Sequence, residues 1–453
     1  MIVLRPYQSV IINNLRTPFR TSHRAPLLVA PTGSGKTVCF SYMAATMAAH
    51  NKRILILVHR EELIEQVSRT LQEFNVPHSF IAVERLYAPT TLVQVASVFS
   101  LARRLDRVPP PHLIIIDECH HAITGSTWGR ILAAFPKVLR IGVTATPLRL
   151  SGEGLSSSFD TLVRGPSVRD LIDSGDLSPF RIFAPPSVDL STVHRRMGDF
   201  VSSELLRLVD KPTVTGDVVA HYRKLAHDKR AVVFCVSIHH AEHVAQQFQA
   251  AGYRAASVDG RMNRGARRAI VQSFVTGNLD VLTSCDLVSE GFDLPAIEVA
   301  ILLRPTMSLG LHLQQVGRVL RPYPGKDAAI ILDHAGNTLR HGLPDDSHEW
   351  TLNGRSHRSN GTNMPSVRVC ASCFAAQFAG ALRCQFCGYV FEVTPREVVE
   401  REGELEEVTQ LRRVKKQEQG RARTLAELVA LGRARGYRNP TGWAICIVRA
   451  RRS

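Results

Sequence analysis

The chain has 453 residues, of which 44% are hydrophobic and 21% charged, which is enough for two or three domains with a core each. Its 56 Lys and Arg against 40 Asp and Glu give a formal net charge of +16, which favours a polyanionic partner but also suits an ordinary basic protein. Apolar runs such as 113–116 and 299–303 are too short to span a membrane, and the first residues lack a signal-peptide pattern.

Two stretches of the chain alternate short apolar runs with amphipathic segments. The first has apolar runs at 27–30, 53–58, 92–96, 112–116 and 140–144, with helical spacing at 38–49 and 61–74. The second has apolar runs at 231–235, 254–258, 280–284, 299–303 and 328–332, with helical spacing at 241–250, 267–274 and 309–320. Strands that alternate with helices predict an α/β fold, with a parallel sheet covered on both faces in each of two tandem domains.

The changes in pattern predict five segments. We expect a first domain at 1–165, a connecting segment at 166–215, a second domain at 216–345, a four-cysteine segment at 366–393 and a charged tail with helical character at 394–453. In the tail we expect Trp443 to anchor a small helical core, with stacking on nucleic acid as the less ordinary explanation.

The run APTGSGKT (30–37) follows the first strand and opens a helix. It departs from the usual phosphate-loop pattern at Ala30, where that pattern has a glycine, yet Gly33 and Gly35 let backbone N–H groups surround phosphate oxygens. Lys36 can reach the β- and γ-phosphates, and the Thr37 hydroxyl can ligate Mg²⁺. A glycine-rich turn without function is the alternative, but the Lys-Thr ending favours ATP, bound by Thr32, Gly33, Ser34, Gly35, Lys36 and Thr37.

The acidic sequence DECH (117–120) ends the strand at 112–116. Open parallel sheets place their ligand chemistry at the carboxyl ends of strands. Asp117 can therefore hold Mg²⁺, and Glu118 can orient or deprotonate the attacking water. An acidic pair alone is weak evidence, but it becomes strong evidence with a phosphate loop upstream.

The order of these motifs resembles the superfamily-two helicases of the DEAD/DEAH-like group over roughly residues 2–335. This resemblance implies two RecA-like domains. LRPYQ (4–8) looks like the adenine-recognition motif, with Gln8 at the base edge and Arg5 beside it. VHREEL (58–63) looks like a nucleic-acid contact motif, with Arg60 as the backbone contact. TATP (144–147) looks like the motif that couples hydrolysis to strand movement, through Thr144 and Thr146.

The second domain carries two further motifs of this family. VLTSCDLVSEGFDLP (281–295) resembles motif V, which implies that Gly291 and Asp293 lie near the nucleotide. QQVGRVLR (314–321) resembles motif VI, whose Gln314 and arginines belong to the catalytic site. Arg318 and Arg321 lie one helical turn apart, so both can point at the γ-phosphate as arginine fingers.

Two cysteines mark departures from the family. Cys119 stands where DEAD-type members have alanine, and we expect it to be a small packing residue, while His120 suits the DEAH-like branch. Cys285 stands where many relatives have a phosphate-contacting threonine. Thr283 or Ser284 could replace that nucleic-acid contact.

Four of the nine cysteines form a late pattern, and the other five are scattered. The pattern is Cys-x₂-Cys, ten residues, then Cys-x₂-Cys, formed by Cys370, Cys373, Cys384 and Cys387. Four thiolates at this spacing predict a structural, tetrahedral Zn²⁺ site. Two disulfides or a redox pair are the alternatives. This use of cysteine favours a reducing, cytoplasmic location.

The resemblance implies a nucleic-acid-dependent ATPase whose two domains close around ATP. The motif sequences look most like those of bacterial and phage double-stranded DNA translocases and branch-migrating helicases. This resemblance favours DNA as the partner, and RNA remains possible. An RNA helicase and the motor of a restriction system are alternatives, although no nuclease motif is evident. A non-catalytic scaffold that binds through the zinc ribbon is a different class, but every catalytic position holds a competent residue.

Overall fold

A computed structural model describes residues 3–121, 127–149, 153–184, 193–196, 199–201, 204–205, 212–285, 297–354, 367–391, 418–419, 422, 424–436 and 439–450. The chain divides into two compact units, Met1–Glu392 and Val393–Ser453. Within the described residues, no helix has both the length and the apolar character needed to cross a membrane.

The first domain is built on a seven-stranded sheet in which every pair of neighbours is parallel. Its strands are β1 (Pro26–Val29), β2 (Ile54–Val58), β3 (His78–Ile81), β4 (Val93–Ser97), β5 (Leu113–Asp117), β6 (Leu139–Thr144) and β7 (Thr161–Arg164). They lie in the order β3-β4-β2-β5-β6-β1-β7. The central strands β1, β2 and β5 are buried along their whole length because helices cover both faces, as the continuous apolar runs predict.

The helices of this domain are α1 (Pro6–Arg20), α2 (Lys36–Ala49), α3 (Glu61–Glu73), α4 (Val98–Leu101) and α5 (Thr127–Ala134). The helix α3 shows why they form. Glu61 and Glu62 in its first turn complement the positive end of the helix dipole, and Leu63, Val67 and Leu71 turn one stripe toward the sheet.

The second sheet has eight strands in the order β12-β13-β11-β14-β15-β8-β17-β16. Its strands are β8 (Phe180–Phe183), β11 (Ala231–Phe234), β12 (Ala255–Val258), β13 (Val281–Ser284), β14 (Val299–Leu302), β15 (Ala329–Asp333), β16 (Val367–Val369) and β17 (Ala375–Phe378). A separate pair, β9 (Arg195–Arg196) and β10 (Asp199–Phe200), is antiparallel. The helices are α6 (Val168–Asp173), α7 (Pro212–Ala226), α8 (Ile238–Ala250), α9 (Arg264–Val275), α10 (Leu309–Val319) and α11 (Asn337–His341).

The segment expected to connect the two domains contributes a strand to the second one. β8 runs parallel to β15, with Ile182 opposite Ile331. The sequence pattern did not reveal it because the strand has four residues and only Ile182 among them is fully buried. The second sheet therefore begins well before residue 216.

The four-cysteine segment is part of the same sheet. Its hairpin, β16 and β17, pairs with β8 in antiparallel fashion, with Ala375 opposite Phe183. The ribbon therefore extends the edge of the second sheet through backbone hydrogen bonds, which periodicity alone did not predict.

The polar passage after the second domain returns to the first. Trp350 and Leu352 pack against the buried cluster that contains Leu155 and Phe159. The Leu155 amide donates to the Leu352 carbonyl at 2.7 Å. This strap, residues 350–354, ties the far end of the second domain to the first.

The second compact unit contains two helices, α12 (Leu425–Ala434) and α13 (Pro440–Ala450). The Thr424 side chain caps α12 by accepting a hydrogen bond from the Glu427 backbone amide, and the Glu427 carboxylate accepts one from the Thr424 backbone amide. A Cβ atom on Gly432 would lie 3.1 Å from the Trp443 ring, so the two helices pack closely at the indole. Trp443 thus anchors a small helical core.

Candidate functional site

Strand order brings the predicted motifs to one edge of the first sheet. β2, β5, β6 and β1 are consecutive neighbours, and their carboxyl ends carry His59, Asp117, Thr144 and the loop 30–35. Segments that are far apart in the sequence therefore meet where an open parallel sheet holds its ligands.

The loop 30–35 has the geometry of a phosphate cradle. Gly35 has φ +73° and lies immediately before α2, whose first residue is Lys36. The Lys36 ammonium donates to the Ala30 and Pro31 carbonyls, both at 3.0 Å, so it lies inside the curve of the loop. A Cβ at Gly35 would displace the side-chain amide of Gln8, and the positive φ of Gly35 independently favours glycine.

A cavity of about 360 Å³ opens in front of this loop, a size typical of small-molecule sites. Both domains line it: the first provides the loop, both acids of DECH and part of α3, and the second provides the end of α10. The charged residues that line it are Arg5, Lys36, Arg69, Glu73, Asp117, Glu118, Asp176, Arg318 and Arg321. Five of the six residues predicted to be catalytic therefore meet in one cavity, and a nucleotide in it would contact both domains.

The charges in the cavity are strongly coupled. Burial lowers the pKa of Lys36, and the nearby Glu118 and Asp117 partly oppose that shift. Burial, reinforced by repulsion from Glu118, raises the pKa of Asp117 to about 7. A divalent cation bound to Asp117 would offset the repulsion between the Asp117 and Glu118 carboxylates. The neighbouring Thr37 hydroxyl, 3.4 Å from the Gln66 amide, can supply a second oxygen ligand.

Glu118 has the features of a residue that acts on a water molecule. Its φ of +47° is uncommon for a side chain other than glycine or asparagine, and such conformations cluster at active sites. Its Oε2 atom is buried and makes no hydrogen bond within the described part of the chain. His120 Nδ1 lies 3.4 Å from that atom. Glu118 also lines the cavity, and a carboxylate in that position can accept a proton from a bound water.

The histidine of DECH links the acidic motif to TATP. His120 Nδ1 lies 3.0 Å from the Thr144 hydroxyl, which donates to the Thr146 carbonyl at 3.0 Å. Both threonines are fully buried. They therefore lie where they can transmit a shift of the acidic loop, and not at a surface that a nucleic acid could touch.

The helix α10 approaches the first domain through two glycines. A Cβ on Gly317 would lie 2.6 Å from Thr32 Cβ, and one on Gly310 would lie 2.8 Å from Thr146 Oγ1. The two glycines are seven residues apart and share a face of the helix. This close approach brings Arg318 and Arg321 to the cavity.

The adenine motif lies where the two domains meet. Gln8 is 4% exposed and its side-chain oxygen accepts from the Arg5 amide at 3.0 Å. The Tyr7 hydroxyl donates to the Ser34 carbonyl at 3.0 Å. The Arg5 guanidinium forms a 2.9 Å ion pair with Asp176, a residue between α6 and β8.

Several cavity residues were missed in the sequence. Gln66, Arg69 and Glu73 lie on α3, and Asp176 follows α6. The first three are spaced so that they share one face of α3. This spacing could have predicted that they line the site, since Arg60 was already assigned to the start of that helix. Asp176 had no such signal because its position depends on how the domains meet.

Other predicted residues lie elsewhere. The Thr283 side chain is fully buried, and its hydroxyl donates to the Ala241 carbonyl at 2.7 Å, so the structure does not place it at a nucleic-acid surface. Gln314 is 4% exposed, on α10, outside the set that lines the cavity. Arg60 precedes α3 as its N-cap. Gly291 and Asp293 lie outside the described residues.

The four cysteines of the ribbon converge. Their Sγ atoms all lie within 4.8 Å of one another, and two pairs, Cys370–Cys387 and Cys373–Cys384, are 3.6 Å apart. Four sulfurs about 2.3 Å from a tetrahedral zinc would have separations close to these. In each half, a backbone amide donates a hydrogen bond to the carbonyl of the first cysteine. Phe374 donates to Cys370 and Gly388 donates to Cys384, both at 2.9 Å. The geometry fits a closed metal site.

Comparison with known proteins supports the helicase resemblance. Residues 1–149 match the family described as the res subunit of type III restriction enzymes, and residues 211–323 match the helicase conserved C-terminal domain. A 51.5 kDa protein of a Lactococcus phage is 34% identical over 383 residues, which cover 84% of this chain and 81% of the phage protein.

More distant relatives share only part of their length with this chain. A Schizosaccharomyces pombe protein described as a candidate mitochondrial ATP-dependent helicase, irc3, is 32% identical over 74% of this chain, which spans 58% of that protein. Among solved structures, an HsdR-type fragment of a type I restriction enzyme from Vibrio vulnificus has a TM-score of 0.62 at 22% identity, covering 79% of this chain and 68% of the fragment. That likeness shows the fold. Together with the two matched domains and the phage relative, it identifies the chain as a member of the superfamily-two helicases, an ATP-dependent enzyme with two RecA-like domains.

Proposed function

We propose that this helicase moves along duplex or branched DNA by closing its two domains around ATP and reopening them after hydrolysis. The observation that carries this proposal is the shared cavity, which has the phosphate loop and both acids on one wall and two arginines on the other. A nucleotide bound there contacts both domains, and its hydrolysis removes the contacts that hold them together.

The proposed roles follow from the geometry. The loop from Thr32 to Thr37 holds the phosphates, with Mg²⁺ between Thr37 and Asp117. Glu118 activates the water, because it lines the cavity together with Lys36 and Asp117. Arg318 and Arg321 stabilise the charge that develops on the γ-phosphate.

The remaining roles rest on the family motifs and on contacts in the first domain. Gln8 and Arg5 lie beside the loop and would read adenine, while Thr144 and Thr146 would couple hydrolysis to movement. We retain Arg60 as a contact to the nucleic-acid backbone, and Gly291 and Asp293 as nucleotide neighbours, on the resemblance alone.

DNA is the preferred track. The restriction-type family matched by the first domain favours DNA, as does a solved structure of a type ISP restriction enzyme bound to DNA, with a TM-score of 0.53. The net charge of +16 suits either nucleic acid. RNA is the alternative, since a yeast Dbp5 structure bound to RNA has a similar fold, with a TM-score of 0.52 at 13% identity.

The test is ATP hydrolysis by the purified full chain, alone and with duplex DNA, forked DNA, single-stranded DNA or RNA. We expect duplex or forked DNA to raise kcat by at least about tenfold, the effect of about 1.4 kcal/mol on the barrier. Glu118→Gln, which keeps the side-chain volume but removes the base, should abolish this activity and so exclude a contaminating ATPase. Stimulation by RNA alone would transfer the protein to the RNA helicases, and a wild-type protein inert with every nucleic acid would contradict the proposal.

We further propose that Cys370, Cys373, Cys384 and Cys387 hold one structural zinc ion. The support is the convergence of the four sulfurs and the matching backbone turns in the two halves of the site. Four cysteines gathered around one metal ion suit a reducing compartment, and on that basis we propose a cytoplasmic location. Of the five segments expected from the sequence, we keep the division into two motor domains, ribbon and tail, with β8 assigned to the second motor domain.

Removing the metal should unfold the ribbon locally. Because Cys384→Ser removes one of the four metal ligands, we expect it to lower zinc content from about one ion per chain to nearly none. It should also remove amide-exchange protection from β16 and β17, the hairpin that pairs with β8. Cys285→Ser, at a half-buried cysteine away from the cluster, is the matched control and should keep both. A wild-type protein without zinc and without free thiols at these four positions would instead indicate disulfides.

A further inference from the structure

Three histidine rings pack in one row beside the catalytic site, with neighbouring ring planes tilted by 51° and 41°, and this row is called the histidine stack. The His59 and His121 ring centroids are 4.4 Å apart, and those of His121 and His120 are 4.2 Å apart. All three side chains are partly buried. His59 follows β2, whereas the other two follow β5, so the stack joins the ends of two neighbouring strands.

Each end of this stack meets an element of the motor. His59 is the residue before Arg60, which begins α3. At the other end, His120 Nδ1 contacts both Glu118 Oε2, at 3.4 Å, and the Thr144 hydroxyl, at 3.0 Å. The middle ring, His121, has no position in any of the motifs described above.

The path continues from TATP into the second domain. The Thr144 hydroxyl donates to the Thr146 carbonyl, and Thr146 Oγ1 lies against Gly310 of α10, the helix that carries Arg318. A displacement at the end of β2 therefore reaches the water-activating carboxylate and the arginine helix through direct contacts only. Packed side chains with two discrete arrangements are the physical means by which two sites can be coupled.

We propose that His121, stacked between His59 and His120, is a positioning residue that transmits nucleic-acid binding near Arg60 to Glu118 and to TATP. This inference rests on the proposed function, since it presumes that nucleic acid stimulates hydrolysis. When a strand binds at the start of α3, His59 shifts, and the stack moves His120 relative to Glu118 and Thr144. Contact between the rings transmits the movement, so the middle position needs a planar ring.

The test compares His121→Ala with His121→Phe in the full chain. For each variant, kcat and KM for ATP are measured without nucleic acid and with saturating forked DNA, and DNA affinity is measured with and without a non-hydrolysable ATP analogue. For His121→Ala we expect basal kcat and DNA affinity within about twofold of wild type and stimulation by DNA reduced by about tenfold, a coupling change within the usual range. His121→Phe retains a planar ring and should restore most of the stimulation.

Two further variants make the result specific. His59→Ala combined with His121→Ala should reduce stimulation no further than His121→Ala alone, because residues that act through one path are not additive. His227→Ala removes an imidazole that packs on Tyr253 in the second domain and should leave stimulation unchanged.

The outcomes separate this inference from the proposed function. A wild-type enzyme that no nucleic acid stimulates overturns both. A stimulated wild type in which His121→Ala remains fully stimulated, loses basal and stimulated activity equally, or is not rescued by phenylalanine overturns the inference alone. The affinity measurements give an independent check, because the ATP analogue should change DNA affinity less in His121→Ala than in the wild type when coupling is lost.

Discussion

Replacing Arg318 by alanine should lower kcat for DNA-stimulated ATP hydrolysis by about 10³-fold while ATP binding to the first domain changes little. Arg318 is 7% exposed and lines the same cavity as Lys36, Asp117 and Glu118. Its charge acts on both Lys36 and Asp117, so it lies within electrostatic range of the place where a γ-phosphate would sit. Stabilisation of developing charge in a buried site acts on the transition state more than on bound substrate.

The measurement is steady-state hydrolysis, together with binding of a fluorescent ATP analogue. Arg318→Lys should recover only part of the rate, since an ammonium cannot reproduce the planar, bidentate contact of a guanidinium with phosphate. Arg223→Ala, at an exposed position on α7, removes an equal charge from the same domain and should leave the rate unchanged. A matching fall in both ATP affinity and kcat/KM, with kcat preserved, would show that Arg318 only binds the nucleotide.

A methyl group at Gly317 is the second change with a large expected effect. Its Cβ would lie 2.6 Å from Thr32 Cβ, whereas carbon atoms in contact stay roughly 3.5–4.0 Å apart. Gly317→Ala should therefore hold α10 away from the phosphate loop by about 1 Å, carrying Arg318 and Arg321 with it. A misplacement of that size can cost about 10²-fold in kcat.

The stability of the second domain should not fall, because alanine is the better helix former and the collision is with the other domain. Gly265→Ala is the matched control: it is another helical glycine, on α9, whose added Cβ would meet only Asn263 Oδ1 at 3.5 Å. It should keep full activity and raise the free energy of unfolding by up to about 1 kcal/mol. Thermal unfolding and kcat, measured for both variants, separate the two effects. If Gly317→Ala retains wild-type kcat, the domains do not need this approach for catalysis.

Much of the fold could be predicted from the local pattern of apolar residues in the sequence. The ten strands expected in the two domains are all present, because strands buried on both faces appear as continuous apolar runs. Among the strands that were missed, β3, β7 and β8 have at most two fully buried residues each, so their pattern resembles that of a loop. Their place in the sheets comes from pairing with neighbours, not from local preference.

The same division applies to the site. Lys36, Asp117, Glu118, Arg318 and Arg321 were found from motif chemistry and lie together in the cavity. Thr283 was expected at a nucleic-acid contact on the resemblance to motif V, but its hydroxyl is used by the Ala241 carbonyl inside the second domain. Successive residues of β13 point to opposite faces, and both faces are buried, so only the packing of α8 shows that Thr283 contacts a helix.

The class of the protein, its two α/β domains, its nucleotide motifs and its four clustered cysteines follow from the order of residues alone, because each depends on residue types at short, regular spacing. Four features appear only in the folded chain: the ribbon extends the second sheet, Arg5 pairs with Asp176, Gly310 and Gly317 approach the first domain, and three histidine rings pack beside Glu118. These contacts join residues that are distant in the chain. They depend on strand order and on how two separately folded sheets face each other, neither of which leaves a local pattern.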